Sequence, residues 1–311
     1  MDELGRVREL YGEPSLDPLA RARVRERLTA APRRRRRRLT GMVALAGAVA
    51  VAAATLIALP DPEISGPGRS ILLAAAHSAE SGGEVSGAYW RVRKLIRRTY
   101  PERLGSGYWM VESRLAELWV ARDGRVWAGA RSLGVRPRTP ADELAWRKDG
   151  APTAWPGLPG DPGKGTLTAT GGVPFSMAGQ GMTIDQIRDL PADPGRLRAL
   201  VEPLGEGLVA DALSGLLWSK PSPPEVRAAA YRALADLPEV RYLGERTDEQ
   251  GRRGAAFSFA LPDPPGTRRT LIIDSATSRV LSSVTDAPGI LNDQTELVLE
   301  AGWTDRKPAA P

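Results

Sequence analysis

Few side chains in this sequence could carry out covalent or metal chemistry. The 311 residues include no cysteine and a single histidine, His77. A thiol nucleophile, a disulfide framework, an iron–sulfur cluster and a Cys/His zinc site are therefore excluded, and His77 has no second histidine with which to share a metal. An enzyme built from this chain would have to use carboxylates, Lys, Tyr or Ser.

Two patterns could be taken for a catalytic acid–base pair and for a phosphate-binding loop, but the surrounding residues support neither interpretation. Asp185 and Asp189 share one helical face like an acid–base pair, but Asp185 follows Thr183 at a helix start, where an acidic residue offsets the helix dipole. In PGDPGKGT at 159–166, Lys164 lacks the first glycine of a phosphate loop at the required spacing. There is also no G-x-S-x-G elbow and no serine three residues before a lysine. We expect a protein that is not an enzyme and that holds no cofactor and no metal.

Tryptophan is the residue type that most favours a binding site. All eight tryptophans follow residue 60, and large aromatic side chains usually pack in a protein core. A cluster of them on one face of a sheet could also line a cavity for an apolar ligand. Both interpretations stay open, and the candidate ligand-binding residues are Trp90, Trp109, Trp119 and Trp127.

The charges divide the chain into two regions. Residues 1–38 contain twelve arginines and six acidic residues, residues 39–59 contain no charge, and residues 60–311 contain 31 basic and 31 acidic residues. The net charge of +6 therefore lies entirely on one side of an uncharged segment. This distribution is typical of a membrane-topology signal and not of a nucleic-acid-binding surface.

The uncharged segment 39–59 predicts a transmembrane helix. Its 21 residues, at about 1.5 Å each, match a hydrocarbon layer of roughly 30 Å. Six consecutive arginines precede it: Arg33, Arg34, Arg35, Arg36, Arg37 and Arg38. By the positive-inside rule they keep the amino terminus in the cytoplasm. The alternative is a cleaved signal peptide, although 38 preceding residues are long for its charged region. The expected location is the inner or plasma membrane, crossed once, with the lipid bilayer as a partner.

The first 38 residues predict a cytoplasmic helical tail with a polybasic end. Apolar residues fall at helical spacing in 2–11 and in 17–31, and turn residues separate the two segments. Helices this short are not stable alone, so they either stay loosely ordered or dock onto a partner protein. The residues expected to contact that partner are Leu4, Val7, Tyr11, Val24 and Leu28.

After residue 59 the pattern predicts a linker, a folded domain and a tail. Residues 60–68 are a linker rich in Pro and Gly, residues 69–302 are an exported α+β domain, and residues 303–311 are a disordered tail. Alternating strands at both ends of the domain, with helices at 183–237 between them, predict a curved antiparallel sheet. The fold class expected is α+β: cytoplasmic helices, one transmembrane helix, and an exported half-barrel with helices packed on its concave face.

Several segments resemble a family of uncharacterised single-pass membrane proteins of high-GC bacteria, over nearly the full length of the chain. They are DELGRVRELYGEPS, YWRVR, LPADPGRLRAL, PPEVRAAAYRALADLPEV and LIIDSATSRVL. Family members are often found beside extracytoplasmic-function sigma factors, which implies a regulatory role. More distantly, the exported domain resembles the half-barrels of lipoprotein carriers and of regulators of anti-sigma factors. Their hairpin usually reads Asp-x-x-Thr-Gly, and Ser278 replaces the glycine here.

Two hypotheses of function follow. In the first, the protein is a transmembrane sensor whose exported domain binds an apolar ligand or an envelope protein and whose tail holds a cytoplasmic sigma factor. In the second, it is a membrane-tethered lipid or lipoprotein binding protein whose tail serves only topology. The tail has neither His nor Cys, so it cannot form the zinc-binding anti-sigma domain. No nucleic-acid partner is expected.

Overall fold

The computed structural model describes residues 66–83, 86–100, 107–155, 162–177, 179–205, 207–287 and 293–311. The predicted cytoplasmic helices, the predicted transmembrane segment and nearly all of the predicted linker lie outside these residues. The proposed partner contacts of the tail and the six consecutive arginines lie outside them as well.

Six α-helices and eleven strands are formed by the described residues. The helices are α1 (Pro67–Ser81), α2 (Pro140–Lys148), α3 (Ile184–Arg188), α4 (Pro194–Val201), α5 (Leu208–Gly215) and α6 (Pro224–Ala235), with a 3-10 turn at Glu202–Leu204. The first six strands are β1 (Tyr89–Thr99), β2 (Met110–Ala121), β3 (Val126–Pro137), β4 (Thr166–Thr170), β5 (Phe175–Met177) and β6 (Gln180–Met182). The remaining strands are β7 (Arg241–Thr247), β8 (Arg253–Ala260), β9 (Arg268–Asp274), β10 (Arg279–Asp286) and β11 (Gln294–Thr304).

Nine strands form one antiparallel sheet in the order β4-β3-β2-β1-β11-β10-β9-β8-β7. Neighbouring strands of this sheet are consecutive in the chain, and tight turns join some of them, such as Asp123-Gly124 between β2 and β3, where Gly124 has a φ of 85°. The exception is the pairing of β1 with β11, which places Trp90 opposite Trp303. This pairing joins an amino-terminal and a carboxy-terminal meander into a single sheet.

The two faces of the sheet differ in what covers them. Alternate residues of each strand point to opposite faces, and Trp90, Val92, Val120 and Ile273 belong to the same buried cluster as the helices. We call this the helix-covered face. The opposite face carries Tyr89 and the intervening residues of the strands.

Helices α1 and α6 pack against each other beneath the sheet. Small side chains allow the close approach, because Ala75, Ala76 and Ala79 of α1 and several alanines of α6 are fully buried or nearly so. A two-pronged ion pair between Arg232 and Glu80, with N–O distances of 2.6 and 2.7 Å, links the two helices at the surface. The core therefore lies between the helix-covered face and this helix pair.

The predicted fold class, an α+β half-barrel behind cytoplasmic helices and one transmembrane helix, is wrong. The structure is dominated by one large antiparallel sheet of nine strands with few helices. In the described part of the chain, none of the helices has the length and apolar character that a membrane crossing requires. The physical reason for the error is that local periodicity locates strands but does not encode a pairing such as that of Arg91 with Glu300, 209 positions apart.

The packing of α1 generates a prediction at Gly68, the residue after Pro67 at the helix start. A Cβ added at Gly68 would lie 2.6 Å from the Cβ of Tyr242, whereas one added at Gly195, which follows Pro194 in the same way, would meet only Asp193 Oδ1 at 3.4 Å. We expect Gly68→Ala to lower the free energy of unfolding by about 1–3 kcal/mol, because two packed elements must separate. Gly195→Ala is expected to be neutral or slightly stabilising, by up to about 1 kcal/mol.

Urea unfolding of the two variants, followed by tryptophan fluorescence, measures the difference. Equal stability of the two variants would show that α1 does not pack against β7 as described.

Candidate ligand-binding site

A cleft of about 630 Å³ opens between the helices and the sheet. Its walls come from the end of α1, from residues 217–224 before α6, from the β9–β10 hairpin and from β11. We call it the helix–sheet cleft. Its size falls within the range of about 300–1,000 Å³ that is usual for small-molecule sites.

Three tryptophans line the cleft: Trp90, Trp218 and Trp303. The rings of Trp90 and Trp303 meet edge to face, with centroids 5.8 Å apart and planes at 71°. The guanidinium carbon of Arg122 lies 4.3 Å from the centre of the Trp303 ring, and Lys94 Nζ lies 4.9 Å from that of Trp218. The cleft thus combines an apolar aromatic surface with cations held against it.

The β9–β10 hairpin is held in place by hydrogen bonds within the fold. Asp274 accepts hydrogen bonds from the backbone of Ala276 and Thr277 at 3.0 and 3.4 Å, and from Thr277 Oγ1 at 2.7 Å. The buried hydroxyl of Tyr231 in α6 donates to the Ser278 carbonyl at 3.0 Å. Ser278 adopts a left-handed φ of 52°, a region that favours glycine.

The cationic side chains of the cleft are more numerous than the carboxylates free to neutralise them. Arg252 bonds to Asp248, but Arg188, Arg227 and Arg279 form no ion pair with another described residue. The pKa of Arg227 lies below its ordinary value, chiefly because burial disfavours its charge; Arg279 adds repulsion, whereas Tyr231 and Glu225 oppose the shift. An anion in the cleft would favour the charged form of Arg227 and so offset the cost of burial and the repulsion by Arg279.

Lys220 lies beside the segment that lines the cleft and is 6% exposed. Its Nζ has one distant polar neighbour, Ser219 Oγ at 3.5 Å. Burial lowers its pKa from 10.5 to about 8; Asp211 opposes this shift, and Arg269 and Lys94 add to it. The fold thus places a nearly fully buried amine, which forms no ion pair with a described residue, next to the cleft.

A second cleft, of about 870 Å³, lies elsewhere and includes Arg97, Glu249, Arg138 and Asp293. Arg97 pairs with Glu249, and Arg138 pairs with Asp293 at 2.8 Å. Its charges are therefore largely satisfied by each other. Within the described ranges, no three His, Cys, Asp or Glu side chains come together in a way that could hold a metal ion.

The four candidate tryptophans do not converge on one cavity. Trp90 lines the helix–sheet cleft, whereas Trp119 and Trp127 are paired across β2 and β3 on the opposite face. Tyr89 meets the edges of both rings, at centroid distances of 6.4 and 6.0 Å. Trp109 precedes β2, and its backbone N–H donates to Asp142 Oδ1 at 2.9 Å.

Trp119 is part of a charged network on the opposite face, which also reaches the lining of the helix–sheet cleft through Glu300. Its Nε1 donates to Glu117 at 2.9 Å, and Arg91 stacks 4.4 Å from the ring centre while pairing with Glu117 at 2.9 Å. A further bond of 2.7 Å joins Arg91 to Glu300. These groups satisfy one another, which indicates a structural role for Trp119.

Sequence reasoning did not select Trp218, Trp303, Ser222, Arg227 or Arg279. The sequence predicts that Trp303 begins the carboxy-terminal tail, whereas β11 continues through it to Thr304. For Arg227, the sequence indicates only that it lies on the same side of a helix as the buried Tyr231, four residues later. The proximity of the other residues depends on the sheet pairing.

Comparisons with known proteins give little further information. No protein-family model and no curated protein sequence matches the chain. A solved structure of the MucA/MucB complex of Pseudomonas aeruginosa is weakly similar, with 12% sequence identity and a TM-score of 0.28. The match covers 78% of this chain and 58% of that chain. A likeness at this TM-score supports no argument about fold or function.

The environment of Lys220 generates a prediction about pH. Its folded pKa of about 8 lies below the ordinary 10.5, so the charged form costs stability at neutral pH. Stability should therefore rise as the pH increases through the range between these two values, by on the order of 3 kcal/mol. We expect Lys220→Met to abolish this rise, as measured by urea unfolding at pH 7 and pH 10.

Lys148→Met provides the control, because Lys148 is exposed at the end of α2. This variant should keep the rise seen in the wild-type protein. The same pH dependence in both variants would contradict the assignment to Lys220.

Proposed function

We propose that this protein is a non-enzymatic regulator that binds an amphiphilic ligand in the helix–sheet cleft. Its amino-terminal tail holds a cytoplasmic partner such as a sigma factor, and ligand occupancy changes that contact. The single observation that carries the ligand-binding half is a cleft of about 630 Å³ lined by Trp90, Trp218 and Trp303 together with arginines.

The lining of the cleft supports an amphiphile over a purely apolar or purely polar ligand. Aromatic rings contribute a large apolar contact area at a small cost in side-chain entropy. Arg122, Arg188 and Arg279 are exposed around the same cleft, where they suit a polar end that stays close to water. An apolar chain against the rings and a polar group near the arginines would satisfy both.

The regulatory half of the proposal is supported by the amino-terminal sequence. The basic excess in residues 1–38 and the run Arg33–Arg38 favour a membrane location with the amino terminus in the cytoplasm. Leu4, Val7 and Tyr11 form one apolar stripe of a short helix, which suits docking into a groove of another protein. The family resemblance described above supports a sigma factor as that protein.

Ligand binding is tested by calorimetric titration of the full-length protein with two single-chain probes below their micelle-forming concentrations, monomyristoylglycerol and myristoyl-lysophosphatidylglycerol. We expect at least one of them to bind. Trp303→Leu and Trp218→Leu should each weaken that binding about tenfold, since each removes aromatic surface from the cleft.

Trp127→Leu is the matched control, because it removes a tryptophan from the opposite face of the sheet. It should leave the affinity unchanged. If neither probe binds the wild-type protein, or if all three variants bind equally well, the helix–sheet cleft is not the ligand site.

Coupling is tested by the amount of sigma factor retained on the immobilised full-length protein, with the host's extracytoplasmic-function sigma factors assayed one at a time. Saturation with the bound probe should change retention of one of them by about fivefold or more, a usual size for coupling between two sites. A double variant, Val7→Asp with Leu28→Asp, should abolish retention.

A second candidate function shares the same cleft. If a probe binds and no sigma factor is retained, the protein is a tethered lipid or lipoprotein binder whose tail serves only topology. That outcome would reject the regulatory half of the proposal and keep the ligand-binding half.

A further inference from the structure

Three buried hydrogen-bond donors without a partner belong to residues that line the helix–sheet cleft. Ten buried side-chain polar atoms of the described residues have no hydrogen-bond partner, and three of them, Trp90 Nε1, Ser222 Oγ and Arg227 Nε, belong to residues lining this cleft. Trp90 is 5% and Ser222 is 7% exposed. Indole and guanidinium nitrogens can only donate, and a hydroxyl can donate. Each of the three can therefore bond to an acceptor.

Arg227 differs from the other arginines that have an unpaired Nε. Four further side chains share this feature: Arg91, Arg93, Arg97 and Arg269. Arg91, Arg97 and Arg269 each pair with a carboxylate through another guanidinium nitrogen. The Nε of Arg93 lies 3.0 Å from Glu117 Oε1, within ion-pair distance, although the pair lacks hydrogen-bond geometry. Arg227 forms neither an ion pair nor a hydrogen bond through its side chain with another described residue. Arg227 is half-buried, with its Nε fully buried, and a partly desolvated cation without an ion-pair partner costs stability.

The two carboxylates that line the cleft are already bonded within the fold, and Glu225, in the first turn of α6, favours the charge of Arg227 without forming an ion pair with it. Asp274, the nearest acidic member of the hairpin, is bonded to Ala276 and Thr277. Glu300, the other acidic residue in the lining, is bonded to Arg91 at 2.7 Å. Arg279, which also lines the cleft, adds a second positive charge.

The amino-terminal end of α6 also contributes positive electrostatic potential to the cleft. This helix of 12 residues begins at Pro224 and has no side-chain cap, and Pro223 and Pro224 line the cleft. Uncapped first-turn N–H groups and the helix dipole favour an anion at this end, although Glu225 in the first turn offsets part of the dipole. Ser222 and Arg227 add hydrogen-bond donors close to the same helix end in the chain.

We infer that Arg227, Ser222 and Arg279 form a subsite for the phosphate group of the bound amphiphile. This inference rests on the proposed function, in which the rings of Trp90, Trp218 and Trp303 hold the apolar part. A phosphate suits the site because it offers several acceptor oxygens to donors that come from different directions. The planar fork of arginine matches phosphate oxygens in a two-pronged geometry.

The test compares three probes in titrations of the full-length protein: myristoyl-lysophosphatidylglycerol, monomyristoylglycerol and glycerol phosphate. The first should bind about tenfold or more tightly than the second, which lacks the phosphate, since a charged hydrogen bond of this kind is lost. The third should bind weakly, because it lacks the chain that contacts the tryptophans. A fatty acid, myristate, should fall between the first two probes.

Arg227→Gln should reduce the affinity for lysophosphatidylglycerol to that for monomyristoylglycerol and leave the latter unchanged. Arg279→Gln should reduce the affinity for lysophosphatidylglycerol severalfold. Because Arg279 is exposed, this variant does not disturb buried packing. Arg241→Gln removes one exposed charge from β7 and should change neither affinity. Circular dichroism and thermal unfolding establish that each variant is folded.

The outcomes separate this inference from the function on which it rests. Equal affinity for the two chain-bearing probes, unaffected by Arg227→Gln or Arg279→Gln, overturns the phosphate subsite and leaves the amphiphile site intact. Binding of glycerol phosphate alone, sensitive to both variants, supports the subsite as one for a free phosphate and overturns the amphiphile site. If no probe binds, both are overturned.

Discussion

The pairing of β1 with β11 is the interaction on which the rest of this structure depends. It brings Trp90 opposite Trp303 and Arg91 opposite Gly302, and so joins two meanders that would otherwise be separate sheets. Without it, the helix-covered face would be divided, and the core shared by Val92, Ile273 and the two packed helices would not be continuous. The helix–sheet cleft exists only because this pairing sets one aromatic wall beside the segment that leads into α6. The same backbone hydrogen bonds therefore account for the core and for the candidate site.

The two faces of the sheet use arginine in different ways. On the opposite face, Arg91 lies between Glu117 and Glu300 and stacks on Trp119. Its charge is satisfied within the fold, so this network stabilises and orders the strands. In the cleft, Arg227 forms no ion pair with a described residue, and its pKa is lowered chiefly by burial, with a further contribution from Arg279. A half-buried charge without an ion-pair partner opposes folding, and such a charge beside an open cleft is suited to an anionic ligand.

Part of this structure was predictable from sequence, and the limit has a physical basis. Periodicity and turn residues located β1, the β2–β3 hairpin and the helix that begins at Pro224, because those features depend on neighbours in the chain. Ser278 adopts a φ of 52°, a left-handed conformation that glycine takes more easily than serine. The β1–β11 pairing was not readable, because it depends on contacts between the two ends of the domain. For the same reason, the candidate tryptophans were grouped together although Trp119 and Trp127 lie on the opposite face from Trp90.

The account is tested most directly by a crystal structure of the full-length protein with a lysophosphatidylglycerol whose acyl chain carries a terminal bromine. The account predicts anomalous scattering from the bromine beside Trp90, Trp218 or Trp303, and phosphate density within hydrogen-bond distance of the Arg227 guanidinium. Bromine signal on the opposite face near Trp127, or a cleft filled by solvent while the lipid is bound elsewhere, would contradict it.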